Sequence, residues 1–375
     1  MRRILTAGIA CMSLFSFSPA YAQDTSIETN AEQAIIVDYQ TGAILFEKNA
    51  DQRMPTSSMS KVITGYAVSE AIERGDIGLT DTCRVSEKAW RMQGSKMFVE
   101  LNSDITVEDL LRGVIIQSGN DATVVLAECL AGSEDAFAVR LNEIASELGM
   151  ENSNFVNASG WPDENHYSTA RDLATLGMAL IKNHPNEYEM YKEIDFTYHD
   201  IKQGNRNPLL YKNIGADGIK TGHTEAGGYG LMASAVRDGR RVVMVLNGMS
   251  SMQERADEGT ELMTWALMNF KNEQIATKGS VIENVPVIYG KTDDVDVVAA
   301  EDVYVTKSAT DTGKTNTELQ ILTPLKAPLN QGDKVGEMHI TTSAGKQIVV
   351  PVAAASSIEE APFYKKLWQK FTNRS

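Results

Sequence analysis

The sequence predicts a mixed α/β protein of the α+β kind, with an antiparallel sheet beside a helical cluster and a small all-β domain after it. Three observations lead to this prediction. Strand-like runs begin and end the first 272 residues and enclose a block of helix-like segments. After residue 272, apolar and polar residues alternate without a helical period. The tail, residues 359–375, has the period of an amphipathic helix.

The first 22 residues have the layout of a secretory signal peptide. Arg2 and Arg3 precede a mostly apolar run over residues 4–17, and residues 20–22 (AYA) give the small-x-small pattern that precedes a cleavage site. The apolar run is shorter than the roughly 20 residues that a membrane span requires. We therefore expect export and cleavage after Ala22, with an uncleaved membrane anchor as the alternative.

The predicted elements of residues 28–272 run from strands to helices and back to strands. The segments are strands at 34–38 and 43–47, helices at 58–74, from 106, and at 121–130, 134–148 and 169–182, strands at 218–223, 229–236 and 241–247, and a helix at 256–270. Local signals support these bounds. Thr106 and Asp109 form a capping box, and Asp238-Gly239 is typical of a tight hairpin turn.

Residues 273–358 are predicted to form the all-β domain, because short alternating runs are separated by Gly and Asp clusters. In the tail, one helical face would carry the apolar residues Phe363, Tyr364, Leu367, Trp368 and Phe371. The other face would carry the cations Lys365, Lys366, Lys370 and Arg374. A basic, aromatic-rich amphipathic helix is typical of a membrane interface, so we expect a reversible hold on a membrane surface. The alternative is a terminal helix that packs on its own domain.

Charge and composition exclude several classes of partner. The chain has 50 Asp and Glu against 35 Lys and Arg, and phosphate binding requires clustered cations, so nucleic acid is excluded. The five histidines form no HxxxH or similar pair, so no metal and no cofactor are expected. Cys83 and Cys129 share no CxxC motif. We expect two reduced structural thiols, although an oxidising compartment would permit a disulfide.

Three short motifs occur in order in the first 272 residues. They are S-x-x-K at residues 58–61 (SMSK), S-x-N at 118–120 (SGN) and K-T-G at 220–222 (KTG). The first pattern carries little information alone, because residues 343–346 (SAGK) match it too. The ordered combination is typical of penicillin-binding proteins and class A β-lactamases.

The first motif opens a predicted helix, so Ser58 and Lys61 would lie on one face, a single turn apart. A serine is a poor nucleophile without a base beside it. A lysine acts as a base only when it is neutral, which requires burial or a nearby cation, and Lys220 is the candidate cation. The alternatives are a solvated Lys61, and Ser118 and Asn120 as simple caps of the next helix.

Longer segments around these motifs resemble the active-site segments of the low-molecular-mass penicillin-binding proteins, above all the D-alanyl-D-alanine carboxypeptidases. They are residues 55–61 (PTSSMSK), 117–122 (QSGNDA) and 217–224 (DGIKTGHT), and residues 166–173 (HYSTARDL) are similar to the same group. The resemblance covers residues 28–272, and the β domain and tail follow the family's layout. It implies a β-lactamase/penicillin-binding-protein-like catalytic domain that removes the terminal D-alanine from peptidoglycan stem peptides. It also implies covalent β-lactam binding and a peripheral place on the periplasmic face of the cytoplasmic membrane.

The resemblance implies roles for individual residues. Ser58 would be the acylated nucleophile, Lys61 its base and Ser118 a proton relay. The residues implied in substrate binding are Asn120, Lys220, Thr221, Gly222, His223 and Arg255. Asn120 would hold a substrate amide, Lys220 would provide a positive field, and Thr221 would lie near the substrate carboxylate. The backbone N–H groups of Ser58 and His223 would form the oxyanion hole. Arg255 matches the family's carboxylate-binding arginine by its spacing from Lys220.

Other interpretations remain open. A class A β-lactamase would carry a glutamate where Ala138 begins the nearest E-x-x-L-N-like segment, and an aspartate in place of Gly119. A D,D-endopeptidase or transpeptidase would use the same site, and a non-catalytic envelope protein would bind peptidoglycan without cleaving it. His166 would either line the site or lie on the surface. Trp90 and Trp161 are predicted to lie in the core rather than to contact substrate.

Overall fold

The computed structural model describes residues 27–372, with side chains as far as Gln369. The predicted signal peptide, residues 1–22, lies outside this part of the chain. So do the side chains of Lys370 and Phe371 and the whole of Arg374, which belong to the predicted tail helix.

The first part of the described chain contains most of the helices. Its strands are β1 (Gln33–Asp38), β2 (Ile44–Lys48), β3 (Thr82–Arg84), β4 (Asp104–Thr106), β5 (Asp195–Tyr198), β6 (Ile201–Gly204), β7 (Ala216–Thr224), β8 (Gly228–Arg237) and β9 (Arg240–Met249). Its helices are α1 (Lys61–Glu73), α2 (Glu87–Arg91), α3 (Val107–Ile115), α4 (Asn120–Ala131), α5 (Glu134–Glu147), α6 (Ala170–Asn183), α7 (Pro185–Tyr188) and α8 (Met252–Asn269). Short 3-10 helices lie at Ser57–Ser60, Glu189–Lys192 and Pro208–Tyr211.

A five-stranded antiparallel sheet, in the order β2-β1-β9-β8-β7, divides two hydrophobic cores. Successive side chains of a strand point to opposite faces, so Ile35 and Val37 belong to the core shared with α1, α3 and α6, whereas Ile36 packs in the core beneath α8. β7 has a single neighbour, β8, and is therefore an edge strand. This edge carries the K-T-G motif.

The predicted α+β fold is confirmed, and its elements lie within a few residues of the predicted bounds. Thr106 is the N-cap of α3, as expected, because its Oγ1 accepts a hydrogen bond from Asp109 N at 3.1 Å. The hairpins β3–β4 and β5–β6 were not predicted. Both are short, and strands of three or four residues give too few alternating positions to be recognised.

The prediction of two reduced cysteines was wrong, because Cys83 and Cys129 form a disulfide with their Cα atoms 5.6 Å apart. Cys83 lies in β3, one of the strands that were not predicted, and Cys129 lies near the end of α4. Because β3 packs beside α4, the two thiols meet in a place that the sequence spacing did not indicate.

The second part of the described chain is all β up to residue 360. Its strands are β10 (Phe270–Ala276), β11 (Val281–Ile288), β12 (Asp294–Ala299), β13 (Val303–Ser308), β14 (Asn316–Ile321), β15 (Leu325–Lys326), β16 (Lys334–Thr341) and β17 (Gln347–Ala354). β10 pairs with β13, and the others form a sheet in the order β14-β16-β17-β12-β11-β15 around a separate, Val-rich core. The second S-x-x-K sequence begins here at Ser343, which is exposed and bonds to Asp311 rather than to a lysine.

The last helix, α9 (Phe363–Thr372), is amphipathic. Its described apolar side chains face outward, and Phe363 is the most exposed of them at 79%. These side chains are Phe363, Tyr364, Leu367 and Trp368. On the other face Lys365 pairs with Asp293 at 3.0 Å, and Lys366 pairs with Glu360. No helix within residues 27–372 has the length and apolar composition needed to cross a bilayer.

Candidate active site

Ser58 lies in the 3-10 helix Ser57–Ser60, which runs directly into α1 at Lys61. Its Oγ accepts a hydrogen bond from Lys61 Nζ at 2.9 Å, so the predicted pair is in direct contact. Lys61 is only 1% exposed, and the alternative of a solvated helix lysine is therefore wrong. The serine itself is half-buried and accessible from solvent.

Burial and a nearby cation, rather than its hydrogen bonds, favour the neutral form of Lys61. Its Nζ also donates to Asn120 Oδ1 at 2.7 Å and to the Ser159 carbonyl at 2.6 Å, and both acceptors are uncharged. Burial lowers the pKa of Lys61 to about 7, with a further contribution from the positive charge of Arg206, while Asp121 opposes the change. A lysine with this pKa is partly neutral at physiological pH and can accept a proton.

A second buried pair joins the S-x-N and K-T-G motifs. Lys220 Nζ donates to Ser118 Oγ at 3.0 Å, and both side chains are buried. Burial, followed by the charge of Lys61, lowers the pKa of Lys220 well below its usual value. Ser118 does not cap α4, whose N-cap is Gly119 without a side-chain hydrogen bond. The charges of Lys61 and Lys220 oppose each other, as expected, and Arg206 is a further cation that lowers the pKa of Lys61.

The first turn of α4 also holds the loop at residues 92–101. The buried carboxylate of Asp121 accepts hydrogen bonds from three successive backbone N–H groups, residues 97–99, at 2.9, 2.9 and 3.2 Å. Asn120 Nδ2 donates to the Gln93 carbonyl at 2.7 Å. Asn120 therefore contacts both the lysine of the first motif and this loop, which forms one wall of the site.

The K-T-G segment lies on the edge strand β7, close to the 3-10 helix that carries Ser58. A Cβ atom on Gly222 would lie 2.9 Å from the Thr56 carbonyl oxygen, so the close approach requires glycine. Thr221 is buried, whereas the His223 ring is exposed and stacks on Tyr229 with centroids 3.9 Å apart. Gly222 thus allows the strand to lie against the 3-10 helix that carries Ser58.

Two arginines complete a positive cluster around Lys220. Arg255, in the first turn of α8, is buried, and its guanidinium lies 5.7 Å from the centre of the Tyr229 ring. Among the described residues, no group accepts a hydrogen bond from Arg255 Nε. Arg206 donates to Ser95 Oγ at 2.6 Å, and the charges of both arginines lower the pKa of Lys220. Such a cluster is suited to an anionic group such as a carboxylate.

Sequence analysis missed two residues of the site and misplaced two tryptophans. Arg206 lies between β6 and a 3-10 helix, where no motif marked it, and Ser159 contributes only its carbonyl. Trp90 and Trp161, which were predicted to lie in the core, are 42% and 44% exposed. Trp161 is exposed for a local reason. It follows Gly160, which packs against the Ser57 carbonyl and leaves the next side chain in solvent.

His166 is buried beside the 3-10 helix that carries Ser58 and does not lie on the surface. Its Nε2 is 2.8 Å from Ser60 Oγ, and burial lowers its pKa to about 4, so the ring is neutral at physiological pH. Within residues 27–372, no three His, Cys, Asp or Glu side chains converge in a way that could hold a metal ion.

Comparison with known proteins gives matches along the whole described chain. A family model described as D-alanyl-D-alanine carboxypeptidase matches residues 19–251, and one described as penicillin-binding protein 5, C-terminal domain, matches residues 270–360. D-alanyl-D-alanine carboxypeptidase DacA of Haemophilus influenzae is 37% identical over 96% of this chain and 94% of its own length. The DacA protein of Escherichia coli K12 is 34% identical over 98% and 94%, respectively.

The fold has a close counterpart among solved structures. Penicillin binding protein 5 from Haemophilus influenzae superposes with a TM-score of 0.85 at 36% identity, covering 90% of this chain and 100% of the other. These matches confirm the fold class and support a carboxypeptidase over the β-lactamase and non-catalytic interpretations. The chain belongs to the D-alanyl-D-alanine carboxypeptidase family and is a serine-type peptidase.

Proposed function

We propose that the chain removes the terminal D-alanine from peptidoglycan stem pentapeptides through an acyl-enzyme on Ser58. The observation that carries this proposal is the 2.9 Å hydrogen bond between Ser58 Oγ and Lys61 Nζ, together with a lysine pKa of about 7. Such a lysine can take the serine proton at neutral pH, and this converts a weak nucleophile into an effective one.

In the acylation step, Ser58 Oγ attacks the carbonyl carbon of the bond between the two D-alanines, and its proton passes to neutral Lys61. The backbone N–H groups of Ser58 and His223 stabilise the oxyanion. When the C–N bond breaks, the proton held by Lys61 passes through Ser118 to the leaving nitrogen, and Lys61 becomes neutral again. The hydrogen bond from Lys220 Nζ to Ser118 Oγ at 3.0 Å supports this role, because it connects the relay to a second proton carrier.

Substrate recognition would use the positive cluster on one side of Ser58 and Asn120 on the other. The terminal carboxylate would bind Arg255, Lys220 and the Thr221 hydroxyl, and the unpartnered Arg255 Nε among the described groups supports this placement. Asn120 would hold an amide on the acyl side. The free edge of β7 would pair with the extended peptide, as edge strands do in β-augmentation, and Gly222 keeps that edge close to the nucleophile.

In the second step, water attacks the ester carbonyl and gives a proton to Lys61. When the C–O bond to Ser58 breaks, Lys61 returns this proton to Ser58 Oγ, and the shortened peptide leaves with a new carboxyl group. A β-lactam presents an amide bond to the same serine. Its ring opens on attack, but the leaving nitrogen stays attached to the acyl group. We therefore expect penicillin to form a covalent adduct on Ser58, in keeping with the name of the structural relative.

We also propose that the mature protein is exported and lies on the periplasmic face of the cytoplasmic membrane, held by α9. The outward aromatic face of α9 supports this, since such a face buries well at the level of the lipid headgroups. Because Lys365 and Lys366 already pair with Asp293 and Glu360, we expect the apolar face to contribute most of the membrane affinity of the described residues.

The reaction can be tested with a stem pentapeptide ending in D-Ala-D-Ala and with cross-linked muropeptide dimers, using mass spectrometry as the readout. Loss of a single alanine from the pentapeptide, with dimers left intact, is the expected result. Cleavage of the dimers at a higher rate than the pentapeptide would instead identify an endopeptidase. Formation of new cross-linked products in the presence of an amine acceptor would identify a transpeptidase.

A further inference from the structure

Trp161 is a large apolar side chain that the structure leaves 44% exposed at the mouth of the site. Its backbone is fixed by a tight turn around Asn157. Asn157 Oδ1 accepts hydrogen bonds from Gly160 N at 2.8 Å and Trp161 N at 3.0 Å, and Asn157 Nδ2 donates to the Trp161 carbonyl at 3.0 Å. The position of the indole is thus determined by the turn rather than by packing in the core.

The same turn touches the catalytic groups at two points. Ser159, two residues before the tryptophan, accepts the 2.6 Å hydrogen bond from Lys61 Nζ. Gly160 lies so close to the nucleophile segment that a Cβ atom there would be 1.8 Å from the Ser57 carbonyl oxygen. Trp161 therefore follows immediately after the backbone that closes the site behind Ser58.

The indole ring also lies close to Gly94 on the opposite wall. A Cβ atom on Gly94 would lie 2.8 Å from Asn120 Nδ2 and 3.3 Å from Trp161 Cζ3. Gly94 thus touches both groups, and Asn120 and the six-membered edge of the indole border the same surface. Asn120 Oδ1 is in turn 2.7 Å from Lys61 Nζ. The exposed ring lies on the Asn120 side of the nucleophile.

We propose that Trp161 forms the wall of a subsite for the side chain of the residue that immediately precedes D-Ala-D-Ala, and that this subsite favours an aliphatic chain. The inference rests on the proposed function, which places the terminal carboxylate at Arg255 and the acyl side at Asn120. A peptide held in that direction passes the indole with the residue before the two alanines. A flat aromatic surface without its own charge suits a run of methylene groups.

The size of the effect follows from the exposure of the ring. One methylene group in an enclosed apolar pocket changes kcat/KM by roughly 10–200-fold. A ring that remains partly in solvent encloses a side chain on one face only. We therefore expect a preference of about tenfold for a whole four-carbon side chain over none, which equals the smallest effect of a single methylene group in an enclosed pocket.

The test uses three substrates of the form acetyl-X-D-Ala-D-Ala, in which X is glycine, L-alanine or L-norleucine, with D-alanine release as the readout. In the full chain, kcat/KM should rise from glycine to norleucine by about tenfold, mainly through KM. Trp161→Ala should reduce this ratio to about twofold or less, and Trp161→Phe should retain most of it, because a phenyl ring preserves an apolar wall. Val139→Ala, which truncates an exposed aliphatic side chain on α5, is the control and should keep the wild-type ratio.

The outcomes separate this inference from the proposed function. Equal losses on all three substrates in both Trp161 variants would show that the residue only supports the turn and would overturn the subsite. An unchanged norleucine-to-glycine ratio in Trp161→Ala would overturn it as well. If the wild-type protein released D-alanine from none of the substrates, the proposed function would fail, and the subsite would fail with it.

Discussion

Two lysines are buried in one site, and burial disfavours the charge of both, although to different degrees. Lys61 contacts Ser58, whereas Lys220 contacts Ser118, so each lysine serves a different hydroxyl group. A substrate carboxylate would add a negative charge beside Lys220 and raise the pKa of its ammonium group. Substrate binding would thus place the proton on Lys220 and leave Lys61 free to act as the base.

The pH dependence of acylation tests the state of Lys61. Because the base must be neutral and its pKa is about 7, kcat/KM should fall about tenfold for each pH unit below that value and level off above it. Arg206→Gln removes a positive neighbour, so the inflection should move to higher pH. Arg237→Gln, at an exposed hairpin turn, is the control and should leave the profile unchanged. An acid limb that stays in place in Arg206→Gln would contradict the assignment of this cation.

The role of Arg255 in binding the free carboxylate of the substrate can be tested by mutation. Removing a partner of a buried charge pair costs roughly 2–4 kcal/mol, so Arg255→Ala should lower kcat/KM for a D-Ala-D-Ala acid by the corresponding factor. A C-terminal amide analogue lacks the negative charge and should lose much less. Parallel measurements on the acid and the amide check this. Equal losses on both substrates would mean that Arg255 supports only the packing of α8.

At the scale of elements, the sequence predicted those parts of the site that depend on local geometry. Ser58 and Lys61 are one helical turn apart, so their contact follows from spacing alone. The meeting of Lys220 with Ser118 needed the family resemblance, because those residues are distant in the chain. Arg206, the disulfide and the exposed Trp161 depend on how loops and short strands pack, and no local pattern indicates such packing.

Helix α4 carries the S-x-N motif at its beginning and the disulfide near its end. Replacing both Cys83 and Cys129 by alanine should lower the free energy of unfolding by about 2–4 kcal/mol. Asn120 lies nine positions from Cys129, about 13 Å along the helix axis, so kcat/KM at 25 °C should be retained. Urea unfolding and D-alanine release measure the two quantities. A reducing agent should destabilise the wild type but not the double variant, and equal stability of the two proteins would contradict this role.

At the scale of the whole molecule, a polar network joins the catalytic domain to the β domain. Asp38 at the end of β1 accepts hydrogen bonds from Arg240 Nε at 2.7 Å and from Asn272 Nδ2 at 3.1 Å. Thr306 of β13 donates to Asn272 Oδ1 at 2.8 Å. Asn272, in β10, therefore links Asp38 of the catalytic domain to Thr306 of the β domain, and we expect this network to hold the β domain in a defined orientation between the site and α9.

The role of α9 can be tested by truncation after Ala361. The shortened protein should leave the membrane fraction, because its outward aromatic face is lost, and activity on a soluble pentapeptide should be retained. High salt should release the full-length protein only in part, since salt screens charge and not apolar burial. Sedimentation with membranes measures the association, and D-alanine release measures the activity. A truncated protein that still sediments with membranes would place the anchor elsewhere, and one that unfolds would make α9 a packing element.

The central claim, that Ser58 is the acylated nucleophile, is tested most directly by intact-protein mass spectrometry after incubation with penicillin. The wild type should gain the mass of one penicillin, and digestion should place the adduct on the peptide that contains Ser58. Ser58→Ala should gain no mass and release no D-alanine, whereas Ser343→Ala, in the second S-x-x-K sequence, should behave as the wild type. An adduct that persists in Ser58→Ala would contradict the account, because the nucleophile would then lie elsewhere.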